Sequence, residues 1–209
     1  PRRRRSVSVH MHIIAFSDIH TDLHAIEKIR SQSEHADLLI GAGDFANMRR
    51  GLQPVIDAIA EIGKPTILVH GNAESHDELA QAAAAYDHLH ILHGTSVTID
   101  GKVFMGLGGA VPETPFGDWS VDHSEKQAAA WLDACPHADV LITHSPPKGH
   151  CDKDSAGKSL GSKSIAKWIK KHQPRYCLCG HIHASWQNWS DAGQTRVMNL
   201  GPMATKVEL

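Results

Sequence analysis

Seven side chains suited to holding metal ions stand where hydrophobic runs of this sequence end. Asp18 and His20 follow "IIAFS", Asp44 follows "ADLLIGAG", and Asn72 follows "TILVHG". His144 follows "ADVLIT", and His181 and His183 belong to the "HIH" that follows "CLCG". Imidazole nitrogens and hard oxygens together suit divalent transition ions, and one carboxylate can span two of them. Two ions about 3.5–4 Å apart would ionise a water and stabilise the attacking and leaving oxygens of an in-line displacement. A lone Gly-Asn more often supplies a turn, and a lone histidine more often makes a structural hydrogen bond. Asn72 and His144 gain their weight as ligands from the five partners that share their position at strand ends.

Strands and helices must alternate to place these residues. "IIAFS" reads as a strand, and Asp22 to about Gln32 as a helix with Leu23, Ile26 and Ile29 on one face. After the strand "ADLLIGAG", Pro54 suits a helix's first turn, and Gly63 and Pro65 close that helix before "TILVHG". Ser75 and Glu78 have capping-box spacing, so a helix should begin directly after the Asn72 turn. The second half opens with "LHILHG" and a hairpin, "SVTIDGKVFMGLGG", whose Asp100-Gly101 pair favours a type I′ turn. Next come a helix from about Ser124 to Cys135, the strand "ADVLITH", a long loop from Ser145 to Leu160, and a helix carrying Ile165, Trp168 and Ile169. "RYCLCG" is a further strand, and "SWQNW" and "TRVMNLG" should flank a turn at Asp191 to Gly193. This mixture of βα units and hairpins predicts an α/β fold with two sheets back to back and helices outside. Ligands of open α/β sheets gather at the carboxyl ends of strands, where the seven residues stand.

Composition narrows the function classes. With 209 residues, 41% of them hydrophobic, and no apolar run of about 18 residues, the chain reads as a soluble globular domain over residues 11–209 with no membrane partner. The formal charge of −2 gives no general attraction to nucleic acid. The one dense basic run, Arg2 to Arg5, lies in residues 1–10, read as a disordered extension upstream of Met11. Cys135, Cys151, Cys177 and Cys179 make no disulfide framework at this length, and a cytoplasmic location follows. Cys177 and Cys179 share one strand face, so "CLC" reads as core packing rather than a redox or zinc pair. Gly108-Gly109 reads as a bulge or turn after the hairpin, and "GKSLGS" lacks the spacing of a phosphate loop. Trp168, Trp186 and Trp189 read as core or sheet-face residues.

In order along the chain stand "DIH" (18–20), "GD" (43–44), "GNAE" (71–74), "TH" (143–144) and "GHIH" (180–183), with "THSPPKG" and "VMNLGP" beside them. In these pieces the sequence resembles the calcineurin-like metallophosphoesterase superfamily, in its small single-domain branch, over roughly residues 11–205. The resemblance implies a four-layer α-β-β-α sandwich of two mixed sheets. It implies that Asp18, His20, Asp44 and His183 hold one divalent ion, and that Asp44 bridges to a second held by Asn72, His144 and His181. Mn²⁺ is the favoured ion, with Fe and Zn²⁺ as alternatives. A metal-bridging hydroxide would be the nucleophile, and Asp44, Asn72 and His144 are accordingly expected to be catalytic.

One position departs from the family pattern. The histidine that follows Gly-Asn in the family, near the leaving group, is Ala73 here. Loss of a general acid costs about 10²–10⁴ in rate, and less when the leaving group needs no proton. His76, Lys148 and His150 are the nearby replacements, with His150 taken as the catalytic and substrate-binding candidate. The expectation is a phosphodiesterase on small or activated phosphate esters. A phosphomonoesterase or nuclease is the alternative enzyme, and a protein-binding scaffold is the alternative of another class.

Overall fold

Each hydrophobic run that precedes a candidate ligand forms a short strand in the computed structural model, which describes residues 10–209. The extension expected over residues 1–10 lies, apart from His10, outside the described residues. The first half contains β1 (His12–Phe16), α1 (Leu23–Gln32), β2 (Leu38–Ala42), α2 (Leu52–Ala60), β3 (Thr66–Val69), α3 (His76–Ala83) and β4 (Leu89–Ile91). The second half contains β5 (Thr95–Ile99), β6 (Lys102–Leu107), α4 (Glu125–Asp133), β7 (Val140–Thr143), α5 (Lys163–His172) and β8 (Tyr176–Cys179). It ends with β9 (Trp189–Ala192), β10 (Thr195–Asn199) and β11 (Thr205–Glu208).

The strands form two mixed sheets, β11-β1-β2-β3-β4 and β5-β6-β7-β8-β10-β9. In the first, β1 to β4 run parallel and β11 is antiparallel to β1. In the second, β6, β7, β8 and β10 run parallel between antiparallel edge strands. Parallel strands covered on both faces read as continuous hydrophobic runs, and β1 shows why. Its Ile13 and Ala15 enter the core between the sheets, while Ile14 and Phe16 enter the core under α1, α2 and α3. A third core lies between the second sheet and helices α4 and α5, with Leu141, Cys177 and Cys179 facing Leu132, Ile165, Trp168 and Ile169. Three cores separate four layers, as the resemblance implied. All four cysteines are free, and burial pushes the Cys177 thiol up to about 12, in keeping with core packing.

Local signals place most of the boundaries. Ser75 and Glu78 form the expected capping box of α3, and Ser124 and Gln127 form another on α4. Asp100 and Gly101 both adopt positive φ, 49° and 77°, as a type I′ hairpin requires. Two differences stand out. "SWQNW" is not a strand: a 3₁₀ turn at His183–Ser185 precedes β9, which starts only at Trp189. Strand β11 was not expected, because "TKVE" buries only Val207 and offers little apolar signal.

Candidate metal centre

The seven expected ligands come together at the carboxyl ends of β1, β2, β3, β7 and β8. One ligand atom from each of Asp18, His20 and His183 lies within 4.8 Å of the others, and Asp44, His144 and His181 form a second such group. Asn72 joins the second group through Oδ1, 3.0 Å from His144 Nε2. Asp44 faces both groups. Its Oδ2 is 3.5 Å from His20 Nε2 and its Oδ1 is 3.4 Å from His144 Nε2.

The backbone is bent to deliver these side chains. Asp18, His20, Asp44 and His181 all have φ between 44° and 68°, a region that non-glycine residues seldom occupy and that functional sites retain at some cost. The turns after β2 and β3 touch directly. A Cβ on Gly71 would collide with Asp44 Oδ1 and backbone nitrogen, so glycine is required before Asn72.

Buried carboxylates hold the loops in register. Glu74, fully buried, accepts hydrogen bonds from the backbone N–H of Asp44 (2.9 Å), Ala46 (2.9 Å) and Gly71 (2.6 Å), tying the two turns together. Burial and the neighbouring Asp44 push Glu74 up to about 7, against the pull of those donors. Asp18 accepts from the His181 backbone at 3.0 Å and from Trp186 Nε1 at 3.1 Å. Ser120 accepts from Asn72 Nδ2 at 3.0 Å and donates to Asp122, which leaves Asn72 Oδ1 aimed at His144. None of Glu74, Trp186, Ser120 and Asp122 was singled out as a site residue. Only Glu74 carried a signal, as the acid that closes "GNAE".

The hydrogen-bond pattern tests whether these donors suit cations. His20 Nδ1 lies 3.2 Å from the Ala46 carbonyl and must donate to it, so Nε2 presents a lone pair. That nitrogen faces His183 Nε2 at 3.3 Å. His144 Nδ1 donates to the Ala42 carbonyl at 2.8 Å, so its Nε2 lone pair meets Asn72 Oδ1 and Asp44 Oδ1. Acceptors thus converge on acceptors, which fits a positive ion in each group. Without an ion, a proton is the substitute. Burial would lower His144, but Asp44 and Asp18 raise it to about 9, and His144 and His20 in turn hold Asp44 well below the usual range despite burial. His181, buried and beside His144, is pushed down to about 3.

The replacements considered for the missing histidine lie elsewhere. His150 is not brought to this centre: Asp152 gathers its loop by accepting from Gly149 and Gly161, and the His150 ring turns to Ser190, with Nδ1 3.0 Å from Oγ. Lys148 Nζ donates to the Ser159 carbonyl. His76 packs beside His70 and His93. Ala73 itself is buried, donates its N–H to Asp44 Oδ1 at 2.8 Å and accepts from the Arg49 backbone.

A family model of calcineurin-like phosphoesterases matches residues 11–185. The chain belongs to that family. As a calcineurin-like phosphoesterase it is a metal-dependent phosphoester hydrolase, and divalent ions are implied for its His/Asp groups. It is 28% identical to the uncharacterized protein MJ1162 of Methanocaldococcus jannaschii, over 92% of this chain and 89% of that protein. The fold matches that of TT1561 of Thermus thermophilus with a TM-score of 0.74 and 21% identity, over 91% of this chain and 89% of the other. It also matches a dimetal phosphatase from Danio rerio with a TM-score of 0.62 and 13% identity, over 93% and 88% of the two chains.

Proposed function

We propose that this calcineurin-like phosphoesterase is a binuclear phosphodiesterase acting on small or activated phosphate esters. One observation carries the reading: the two oxygens of Asp44 face different ligand groups, at 3.5 Å from His20 and 3.4 Å from His144. Asp18, His20, Asp44 and His183 would hold one ion, and Asp44, Asn72, His144 and His181 would hold the other. Two divalent ions so held supply an ionised water as nucleophile and positive charge for the phosphoryl oxygens. The mixed nitrogen and oxygen donors suit Mn²⁺, with Fe and Zn²⁺ as alternatives. The dimetal phosphatase with the same fold supports two ions rather than one. The four free cysteines support a cytoplasmic setting.

The chain's own residues set the direction of the chemistry. The Ala42 carbonyl fixes the His144 tautomer, and Ser120 fixes the Asn72 amide. No imidazole stands at residue 73 to protonate a departing alkoxide, so leaving groups that depart as stable anions are favoured. A panel of bis(p-nitrophenyl) phosphate, p-nitrophenyl phosphate and alkyl esters, assayed with Mn²⁺, tests this. The diester should be turned over fastest, and rates should fall steeply as the leaving-group pKa rises. Faster turnover of the monoester would favour the phosphatase alternative. Absence of turnover with Mn²⁺, Fe and Zn²⁺ alike would favour the scaffold reading.

A further inference from the structure

Gly108 and Gly109, at the end of β6, lie against a second group of imidazoles. A Cβ on Gly108 would come 2.6 Å from His70 Nε2, and one on Gly109 would come 2.6 Å from His123 Nε2. The two glycines leave room for His70 from the end of β3, His93 from beyond β4 and His123 from the turn before α4. One ring nitrogen of each lies within 4.8 Å of the others. His76 packs beside them, its ring centroid 6.1 Å from His70 and 5.8 Å from His93. The Trp131 ring covers the group, 4.3 Å from His93 and 4.8 Å from His123 between centroids.

The protons in this group do not add up. His70 Nδ1 lies 2.8 Å from the Gly71 carbonyl and must donate to it, which leaves Nε2 a lone pair. The Gly108 N–H donates to His93 Nδ1 at 3.2 Å, so that nitrogen is also an acceptor. Yet His70 Nε2 and His93 Nδ1 face each other at 3.2 Å. His123 Nε2 and His76 Nδ1 are buried as well, and neither has a hydrogen-bond partner among the described residues. With an ion bound, the His93 Nδ1 lone pair would go to the metal in place of the Gly108 N–H; two nitrogens bound tetrahedrally to one zinc at 2.0–2.1 Å lie about 3.3 Å apart, close to the 3.2 Å between His70 Nε2 and His93 Nδ1.

We propose that His70, His93 and His123 form a further binding site for a divalent transition ion of the zinc type, separate from the Asp/His centre. The donor set is all imidazole and holds no carboxylate, which suits Zn²⁺ over Mn²⁺, Mg²⁺ or Ca²⁺. The ion ties the ends of β3 and β4 in one sheet to the loop that follows β6 in the other. It does so two residues before Asn72. Its role is structural: it fixes the back of the turn that presents Asn72, and Trp131 restricts access to it. The Gly-Gly pair is explained by the same site, since a side chain at either position would fill the space the rings occupy.

Chelator-stripped full-length chain, reloaded with Zn²⁺ and freed of loose metal by gel filtration, tests the proposal through zinc content measured by elemental mass spectrometry. His93→Gln and His123→Gln should each hold one zinc fewer per chain than wild type. The same loss should appear when His93→Gln is introduced into an Asp44→Ala chain, in which the Asp/His centre is disabled, so the two sites are judged independently. His123 is only partly buried, and its variant keeps the test available if His93→Gln does not fold. Equal zinc content in wild type and the folded histidine variants would overturn the proposal, as would a loss that disappears in the Asp44→Ala background.

Discussion

Asp44 makes more of the candidate centre than any other side chain. Its two oxygens reach separate ligand groups, and Oδ1 also accepts the Ala73 N–H. Removing the carboxylate leaves two groups of donors without their shared anion, so Asp44→Ala should abolish Mn²⁺-dependent hydrolysis. Asn72 contributes one neutral oxygen to one group, so Asn72→Ala should weaken the second ion while sparing the first. Metal analysis beside turnover at saturating Mn²⁺ separates the two outcomes, and normal turnover in Asp44→Ala would sink the binuclear reading. Because donor chemistry belongs to the side chain itself, the seven candidate ligands that the structure gathers, Asp18, His20, Asp44, Asn72, His144, His181 and His183, were legible. His150 was not, because its direction depends on how Asp152 folds the loop around it.

Loops and helix ends carry the next level of organisation. Glu74 accepts Asp44 N and Gly71 N through Oε1 and Ala46 N through Oε2. In Glu74→Gln, the amide can keep the first two bonds but sets an NH₂ against the Ala46 N–H. An unsatisfied buried donor costs about 1–3 kcal/mol, and the Asp44 turn should loosen with it. Urea unfolding of the metal-free chain and a Mn²⁺ titration should both show the loss, and a change within about 0.5 kcal/mol would show that the turns do not depend on this carboxylate.

Glu125 does comparable service at the start of α5, accepting from Lys163 N (2.7 Å), Ser164 N (2.8 Å) and Ser162 Oγ (2.8 Å). Partial burial would raise its pKa, but these bonds outweigh burial and lower it. A carboxyl with a lowered folded-state pKa stabilises the protein above its unfolded pKa, and that contribution is lost as pH falls through the folded value. The stability gap between wild type and Glu125→Gln should therefore be present at pH 7 and shrink in acid. Urea midpoints across that range will show it, and a gap that widens in acid would contradict the assignment.

The whole molecule acts as a clamp made of two sheets. The first sheet supplies Asp18, His20, Asp44 and Asn72, and the second supplies His144, His181 and His183, so each ligand group draws on both. The core between the sheets therefore sets ligand distances as well as stability. Ile142 is fully buried in that core, and Ile169 is buried in the outer core under α5. Either change to alanine should cost about 2–5 kcal/mol. Ile142→Ala should also weaken Mn²⁺ binding, whereas Ile169→Ala should leave it nearly intact. Equal effects on Mn²⁺ affinity would mean that the inter-sheet core has no special hold on the site.

The sequence by itself determined the strand and helix order of the first half, the capping of α3, the hairpin at Asp100-Gly101 and which seven candidate side chains stand at the strand ends. These depend on side-chain chemistry and on neighbours within a few positions, which the sequence displays directly. It did not reveal β11, whose charged, alternating "TKVE" becomes a strand only because β1 offers it an edge. Nor did it reveal that Trp186 donates to Asp18, that Glu74 joins two turns, or that His70, His93 and His123 meet beside Gly108 and Gly109. Trp186 and Asp18 are 168 residues apart in the chain, and His20 and His183 are 163 apart. Contacts across such separations are fixed by how the two sheets pack, and no local pattern of residues encodes that packing.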